Sequence, residues 1–322
     1  MVVAEYPLNR HLANAMIIFH DPSCLEYSAP GHPERPARIA RTVPLLKERH
    51  PDWEWRVPQA AGEVAVLRAH SRDHLERIKS GTRDFDADTP FYPKIYEHTL
   101  RSAGAAIDVT RAALQGGRAF SLTRPPGHHA TRDRAMGFCY FNGIAIAALD
   151  SLAVAPTDRG DASQPGSTPP AATKPRVQRV AIWDFDAHHG NGTEAIIANN
   201  SHVAFASIHQ FPGYPGTGTK SFANVTNYPL GPGTPRKHHV EVAKRALDKL
   251  LAFKPDLLLV SAGFDAYARD PLLQMTLEAE DFSTFGEWLR QLDLPVGTIL
   301  EGGYSDDLPG LIDAFLTAWS SK

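Results

Sequence analysis

The stretch Val180-Ala-Ile-Trp-Asp184-Phe-Asp186-Ala-His188-His189-Gly-Asn191-Gly192 joins an apolar run to a cluster of carboxylates and imidazoles. Similar apolar runs recur along the chain between segments of helical period, at Met16 to Phe19, Ala119 to Leu122, Val203 to Ile208, Leu257 to Ser261 and Val296 to Leu300. Short, wholly apolar strands that alternate with helices are typical of a parallel sheet covered on both faces. We therefore predict an α/β fold.

Two segments between these runs have the pattern of amphipathic helices. In one, the apolar stripe is formed by Val240, Ala243, Leu247, Leu250 and Leu251. The other extends from Ala103 to Leu114 and is followed by Gly116-Gly117, a pair that ends helices. Each stripe predicts a helix that packs against the sheet.

The composition is that of an ordinary globular protein, with 322 residues of which 43% are hydrophobic and 21% charged. A formal net charge of −3 and no evident Lys/Arg cluster argue against binding to nucleic acid. Cys24 and Cys139 are too few for a disulfide framework and fit a reducing compartment. Since neither a secretion signal nor a membrane span is visible, we expect a soluble, cytoplasmic protein.

The stretch from Ala153 to Pro175 interrupts the alternation of strands and helices. It is rich in Pro, Gly, Ser, Thr and Asp, which predicts a flexible surface loop at about residues 153–177. A linker between two domains would have the same composition. However, the strand predicted at Val180 continues the alternation begun before the loop, so we expect residues 1–322 to form a single domain.

Polar clusters follow four of the predicted strands, where ligands bind in open parallel sheets. Asp186 and His188 lie on one side of an extended chain, so both can ligate one ion. The pair alone is weak evidence, because an aspartate at a strand end also caps helices. Asp265, at another strand end, supplies a third candidate. Three protein ligands with an open fourth position are typical of a catalytic zinc site.

His128-His129 and Tyr304 are the remaining candidates for chemistry. The histidines follow two prolines and a glycine, a rigid turn that orients the imidazoles for proton transfer, although tandem histidines also occur in plain polar loops. We assign no role to His238-His239, which opens a predicted helix. Tyr304 follows two glycines, and its phenol either packs in the core or donates to a developing oxyanion.

Six ordered motifs together resemble the zinc-dependent histone deacetylases, most closely the class II and bacterial branch that includes acetylpolyamine amidohydrolases. They are Arg124-Pro-Pro-Gly-His128-His129, Gly137-Phe-Cys-Tyr-Phe-Asn142, Asp184-Phe-Asp186-Ala-His188-His189-Gly-Asn191-Gly192, Pro215-Gly-Thr-Gly218, Gly263-Phe-Asp265 and Glu301-Gly-Gly-Tyr304. The resemblance extends from about Gly31 to Tyr304. It implies the arginase–deacetylase fold, a single domain with an eight-stranded, mainly parallel sheet and helices on both faces.

The resemblance implies one zinc ion on Asp186, His188 and Asp265. Zinc and His129 would activate the water that attacks the acyl carbonyl, and Tyr304 would stabilise the oxyanion.

His128 would lie beside His129, oriented by Asp184. Many relatives have an aspartate at the position of Asn191. A neutral amide cannot raise the pKa of an imidazole as a carboxylate would, so we expect His129 to be mainly neutral and basic near pH 7. Such a group suits a general base that later protonates the leaving amine.

The resemblance also implies a substrate tunnel. Phe138 and Tyr214 match its aromatic walls, Gly137 lies beside Phe138, and Asp88 matches a rim residue that holds the substrate backbone. Leu272 follows Pro271 and is expected at the tunnel mouth, where relatives that prefer acetylpolyamines have a glutamate.

A structural potassium ion is implied as well. Its ligands would be Asp184, Ser207 and main-chain oxygens near Asp186, His188 and Ile208.

We therefore predict a zinc-dependent hydrolase of acyl-lysine amides, acting on an acyl-lysine protein or peptide or on an acetylated small amine. The alternatives are an acetylpolyamine amidohydrolase and a non-catalytic acyl-lysine binder. A binuclear arginase site is disfavoured, because Gly190 and Tyr267 stand where its additional acids would be needed. The sequence leaves the oligomeric state open.

Overall fold

An eight-stranded sheet organises the chain in a computed structural model that describes residues 16–153 and 177–321. The strands are β1 (Met16–Phe19), β2 (Glu54–Arg56), β3 (Arg118–Ser121), β4 (Val180–Asp184), β5 (Val203–Gln210), β6 (Val225–Leu230), β7 (Leu257–Ala262) and β8 (Val296–Leu300). Their order is β2-β1-β3-β8-β7-β4-β5-β6, and every pair is parallel. The predicted α/β fold is confirmed, whereas the loop predicted at residues 153–177 lies almost wholly outside the described residues.

Ten α-helices accompany the strands in the described ranges. They are α1 (Ala37–Ala40), α2 (Thr42–Arg49), α3 (Glu63–Ala69), α4 (Arg72–Ser80), α5 (Ile95–Leu114), α6 (Gly143–Ala153), α7 (Asn191–Ile197), α8 (Arg236–Ala252), α9 (Ala279–Arg290) and α10 (Leu308–Ser320). None of these helices combines the length and apolar character needed to cross a bilayer.

Alternate residues of the strands pack into two hydrophobic cores, one on each face of the sheet. In β4, Val180 and Ile182 contribute to the core beneath α3 to α7, while Ala181 and Trp183 contribute to the core beneath α1, α2 and α8 to α10. This arrangement follows from the period of two in a strand. Helices therefore cover both faces, as predicted.

The two edge strands are the elements that the apolar runs did not predict. In β2 all three residues are only half-buried, and β6 contains the polar Asn227 together with Pro229. A proline is tolerated in an edge strand, where one side of the backbone needs no partner. Edge strands face solvent and consequently lack the wholly apolar pattern of the central ones.

The strand order places β3, β8, β7 and β4 side by side at the centre of the sheet. The polar segments that follow these four strands therefore meet at one edge, although they are far apart in sequence. This is the position at which open parallel sheets bind ligands.

Candidate active site

Asp186, His188 and Asp265 converge beyond the ends of β4 and β7. One candidate ligand atom from each residue lies within 4.8 Å of the others, and all three residues are buried. His188 Nδ1 lies 2.7 Å from Asp265 Oδ2 and 3.3 Å from Asp186 Oδ1. The structure thus brings together the three residues that the sequence predicted as metal ligands.

Backbone donors orient the two carboxylates. Asp186 Oδ2 accepts a hydrogen bond from the Gly302 N–H at 2.7 Å, and Asp265 Oδ1 accepts one from the Ala187 N–H at 2.7 Å. A Cβ atom at Gly302 would lie 2.3 Å from Asp265 Oδ2 and 2.5 Å from Asp186 Oδ2. Only glycine allows this close approach, which leaves the other oxygen of each carboxylate facing His188.

The charges of this cluster suit a divalent cation. Burial raises the pKa of Asp265, and the nearby carboxylate of Asp186 raises it further. A cation between the two carboxylates would offset this repulsion. One imidazole nitrogen and two carboxylate oxygens match a catalytic zinc site, whereas calcium takes six or more oxygen ligands. The residues therefore fit the zinc ion that the resemblance implies.

His128 and His129 lie next to this cluster, with ring centroids 4.0 Å apart. His128 Nδ1 donates to Asp184 Oδ2 at 3.1 Å. Burial lowers the pKa of His128, but the carboxylates of Asp186 and Asp184 outweigh burial and hold that pKa well above the usual value. The neighbouring carboxylates thus favour the protonated form of His128.

His129 has the opposite character. Burial holds its pKa well below the usual value, and the neighbouring imidazole of His128 adds to this effect. His129 Nδ1 lies 2.7 Å from Asn191 Oδ1, a carbonyl oxygen that can only accept. The proton is therefore on Nδ1, and Nε2 carries the free electron pair that a general base needs.

Glu301, at the end of β8, fixes the turn that carries both histidines. Its Oε2 accepts from the Gly127 N–H at 2.7 Å and from the His128 N–H at 3.1 Å. The sequence motif contained Glu301 without indicating this role, because the two partners are distant in sequence.

Three aromatic rings lie close to the cluster and the histidines. The Tyr214 ring lies 5.1 Å from the His129 ring, and the Phe138 ring lies 5.7 Å from the Tyr304 ring. Burial raises the pKa of the Tyr304 phenol well above its usual value, against the opposing charge of Arg38, so the hydroxyl keeps its proton. The three aromatic residues that the resemblance named are thus adjacent to the predicted ligands and bases.

Asp88, which is half-buried, binds the backbone beside Phe138. Its Oδ1 accepts from the Gly137 N–H at 3.1 Å, and Thr89 Oγ1 accepts from the Phe138 N–H at 3.2 Å. A Cβ atom at Gly137, whose φ is +58°, would lie 2.4 Å from His129 Cδ2. Thr89 had no sequence signal, and the substrate contact predicted for Asp88 stays a prediction.

The residues predicted to bind potassium lie on neighbouring strands. Asp184 of β4 is in register with Ser207 of β5, and Ile208 follows directly. Asp184 Oδ1 accepts from the Asp186 N–H at 3.2 Å, and Ser207 Oγ lies 2.9 Å from His209 Nδ1. Their proximity is established, and the ion stays a prediction.

Leu272 is half-buried and packs against the core that α8 to α10 cover. Its N–H donates to Asp270 Oδ1 at 3.0 Å, and Asp270 Oδ2 accepts from the Tyr304 N–H at 2.7 Å. Sequence reasoning missed Asp270. The only available signal was its place before Pro271, which is typical of a turn.

Comparisons with known proteins agree with this geometry. The family described as the histone deacetylase domain matches residues 32–158 and 169–318. A Methanothermobacter thermautotrophicus protein named "Probable deacetylase" is 35% identical over 312 residues, covering 92% of this chain and 87% of that protein. The histone deacetylase-like amidohydrolase of Pseudomonas aeruginosa is 34% identical over 303 residues, covering 87% of this chain and 74% of that protein. The crystal structure of acetylpolyamine aminohydrolase from Burkholderia pseudomallei aligns with a TM-score of 0.81 at 26% identity, covering 95% of this chain and 99% of that chain. The chain therefore belongs to the histone deacetylase family of hydrolases.

Proposed function

We propose that this protein is a zinc-dependent deacylase that hydrolyses the side-chain amide of acyl-lysine. The observation that carries the proposal is the buried group of Asp186, His188 and Asp265 directly beside His129 and Tyr304. A zinc ion held by the three ligands would supply Lewis-acid polarisation of the acyl carbonyl and of the attacking water.

The two histidines divide the proton transfer. His129 Nε2 is the base that takes a proton from water, since Nδ1 is bound to Asn191. The same nitrogen then delivers this proton to the leaving amine. His128, whose Nδ1 is bound to Asp184, is the electrostatic partner beside the reacting carbonyl.

Tyr304 completes the set as an oxyanion donor. Its high pKa keeps the phenol protonated, so the hydroxyl can donate to the oxygen on which negative charge develops. Phe138 and Tyr214 provide apolar walls for the methylene stem of the substrate.

We further propose a structural potassium ion at Asp184, Ser207 and the main chain near Asp186, His188 and Ile208. Such an ion would offset the buried negative charge of Asp184, which orients His128. The ion would thereby support the site without contacting the substrate.

Acyl-lysine and acetylpolyamines are the two substrate classes to compare. Similarity to the Burkholderia acetylpolyamine aminohydrolase favours acetylpolyamines as substrates. Leu272 favours acyl-lysine, because a leucine offers no carboxylate to a second ammonium group. A screen of acetyl-lysine peptides, longer acyl-lysines and acetylpolyamines decides between them, and we expect higher kcat/KM on the peptides.

The metal assignment is tested by Asp265→Ala, which removes one of three ligands. We expect about one zinc per wild-type chain, and loss of both metal and turnover in the variant. Metal analysis after dialysis and a peptide deacylation assay measure these quantities. Asp293→Ala, at an exposed aspartate, is the control and should retain both. Wild-type metal content in Asp265→Ala would show that the ligand assignment is wrong.

A further inference from the structure

We propose that Asp270 is a positioning residue that fixes Tyr304 and connects it to the backbone of Leu272. The inference rests on the proposed function, because it concerns the residue to which that function assigns the oxyanion bond. Asp270 itself touches neither the predicted metal ligands nor the histidines through any hydrogen bond among the described residues.

The carboxylate of Asp270 is buried and bound at both oxygens. Oδ2 accepts from the Tyr304 N–H at 2.7 Å, and Oδ1 accepts from the Leu272 N–H at 3.0 Å. Each oxygen of this side chain therefore accepts one backbone N–H, and each bond lies within the normal range of hydrogen-bond distances. One side chain thus joins two backbone segments that belong to different connections of the sheet.

The peptide group before Tyr304 is held from its other side as well. Its carbonyl oxygen, on Gly303, accepts from Arg38 Nε at 2.7 Å, while its N–H is the donor to Asp270. Gly303 has a φ of +114°, a region in which other residues are strained. Arg38 and Asp270 therefore hold both ends of one peptide plane, at a position where glycines would otherwise leave the backbone before Tyr304 free to move.

The chemistry at this position requires two acceptors and no donor. A carboxylate meets the requirement, whereas an asparagine has one accepting oxygen and an NH2 group that would face a second N–H. Asp270→Asn accordingly weakens the bond to Tyr304, the bond to Leu272 or both. Because neither partner is a predicted metal ligand, we expect zinc content to be unaffected.

A double-mutant cycle tests the proposal, using Asp270→Asn, Tyr304→Phe and the combined variant. With an acetyl-lysine peptide, we expect Asp270→Asn to lower kcat by about tenfold or more and to change KM by less than about threefold. In the Tyr304→Phe background, the same substitution should cost less than about twofold, because a residue that acts through Tyr304 has nothing left to position.

A trifluoroacetyl-lysine peptide provides a second readout. Its carbonyl is more electrophilic and needs less help from an oxyanion donor. The ratio of kcat/KM for the trifluoroacetyl to the acetyl substrate should therefore rise in Asp270→Asn, as in Tyr304→Phe. Asp313→Asn is the matched control, since Asp313 is also a buried acceptor. Its carboxylate accepts from Arg49, the last residue of α2, and from His50, the C-terminal cap of α2. It should leave the ratio unchanged.

Equal losses from Asp270→Asn in both Tyr304 backgrounds would overturn the proposal, as would an unchanged substrate ratio. Should Asp270→Asn not fold, Asp270→Glu, which keeps the charge and displaces the carboxylate, takes its place in the cycle. Failure of both variants to fold would assign Asp270 to folding and equally overturn the proposal. A zinc-loaded wild type that hydrolyses neither peptide would instead contradict the proposed function, which separates the two failures.

Discussion

The immediate surroundings of each reactive side chain decide what it can do. His128 and His129 are neighbours in sequence, yet the first contacts a carboxylate and the second an amide. The carboxylates of Asp186 and Asp184 raise the pKa of the first, whereas burial lowers the pKa of the second. Two identical side chains thus acquire different surroundings from the end of β4 and the segment after it, more than fifty residues further along the chain.

Tyr304→Phe isolates the phenolic donor, because it keeps the ring that packs against Phe138. We expect zinc content and thermal unfolding close to wild type and a fall in kcat of roughly a hundredfold or more, the size of one lost oxyanion donor. The measurement is steady-state kinetics on an ordinary acetyl-lysine peptide, since activated amides need the donor less. A loss below about threefold would exclude Tyr304 from the mechanism.

The sequence predicted reactive residues better than the residues that hold them. Asp186, His188 and Asp265 were predictable because each has the chemistry of a ligand and follows an apolar strand. Glu301 and Asp270 bind backbone N–H groups of distant segments. No spacing rule indicates such contacts, because any carboxylate can accept from any N–H that folding brings near.

At the scale of elements, the connection between β7 and α9 carries both a predicted ligand and Leu272. A carboxylate at position 272 would attract the second ammonium of an acetylpolyamine by on the order of 1 kcal/mol. We predict that wild type prefers acetyl-lysine peptides over N-acetylputrescine or acetylspermidine, and that Leu272→Glu narrows or inverts this preference. The measured quantity is the ratio of kcat/KM values at matched ionic strength.

Leu272→Gln is the control for this substitution, because it has nearly the shape of glutamate and no charge. It should leave the substrate ratio close to that of wild type. An unchanged ratio in Leu272→Glu, or a wild type that favours acetylpolyamines, would refute the assignment of this position.

Element boundaries show which interactions the pattern could not predict. Helix α5 begins at Ile95, eight residues before the predicted start at Ala103. In the first two turns of α5, the spacing of buried residues follows the helical period less regularly than in the alanine-rich part. The central strands were predicted because both of their faces are buried, whereas β2 and β6 gain their strand conformation from pairing with β1 and β5.

For the whole molecule, the cores on the two faces enclose several neutral histidines. Burial lowers the pKa of His70 to about 3, that of His74 to about 4 and that of His239 to about 4. The ring nitrogens of His239 have no hydrogen-bond partner among the described residues. In the folded protein, burial disfavours the protonated form of these imidazoles. In the unfolded chain the same imidazoles bind a proton readily.

Stability should therefore fall as pH decreases. The folded pKa values lie below the unfolded value of about 6.5, so the unfolded chain binds more protons between pH 6.5 and about 4. The stabilisation is complete above this window and is lost as pH falls through it. We expect the free energy of unfolding to drop by roughly 2 kcal/mol per such histidine at pH 5. Urea denaturation at several pH values measures the effect.

His239→Leu tests, at one residue, whether buried histidines cause this pH dependence of stability. Leucine removes an unpartnered buried imidazole, so we expect stability at pH 7 at least equal to wild type and a shallower dependence on pH below 6.5. The predicted metal site is the same in both proteins and cancels in the comparison. Parallel pH profiles for the two proteins would show that His239 does not contribute.

The meeting of four central strand ends also links zinc affinity to folding. Asp186 follows β4 and Asp265 follows β7, so the ligand atoms become neighbours only when these strands pair. An ion that binds the folded state and not the unfolded state stabilises the fold. The stabilising free energy grows with the logarithm of the ion concentration. Under the proposed zinc assignment, the melting temperature becomes a gauge of free zinc, and a chelator destabilises the entire sheet rather than only its catalytic edge.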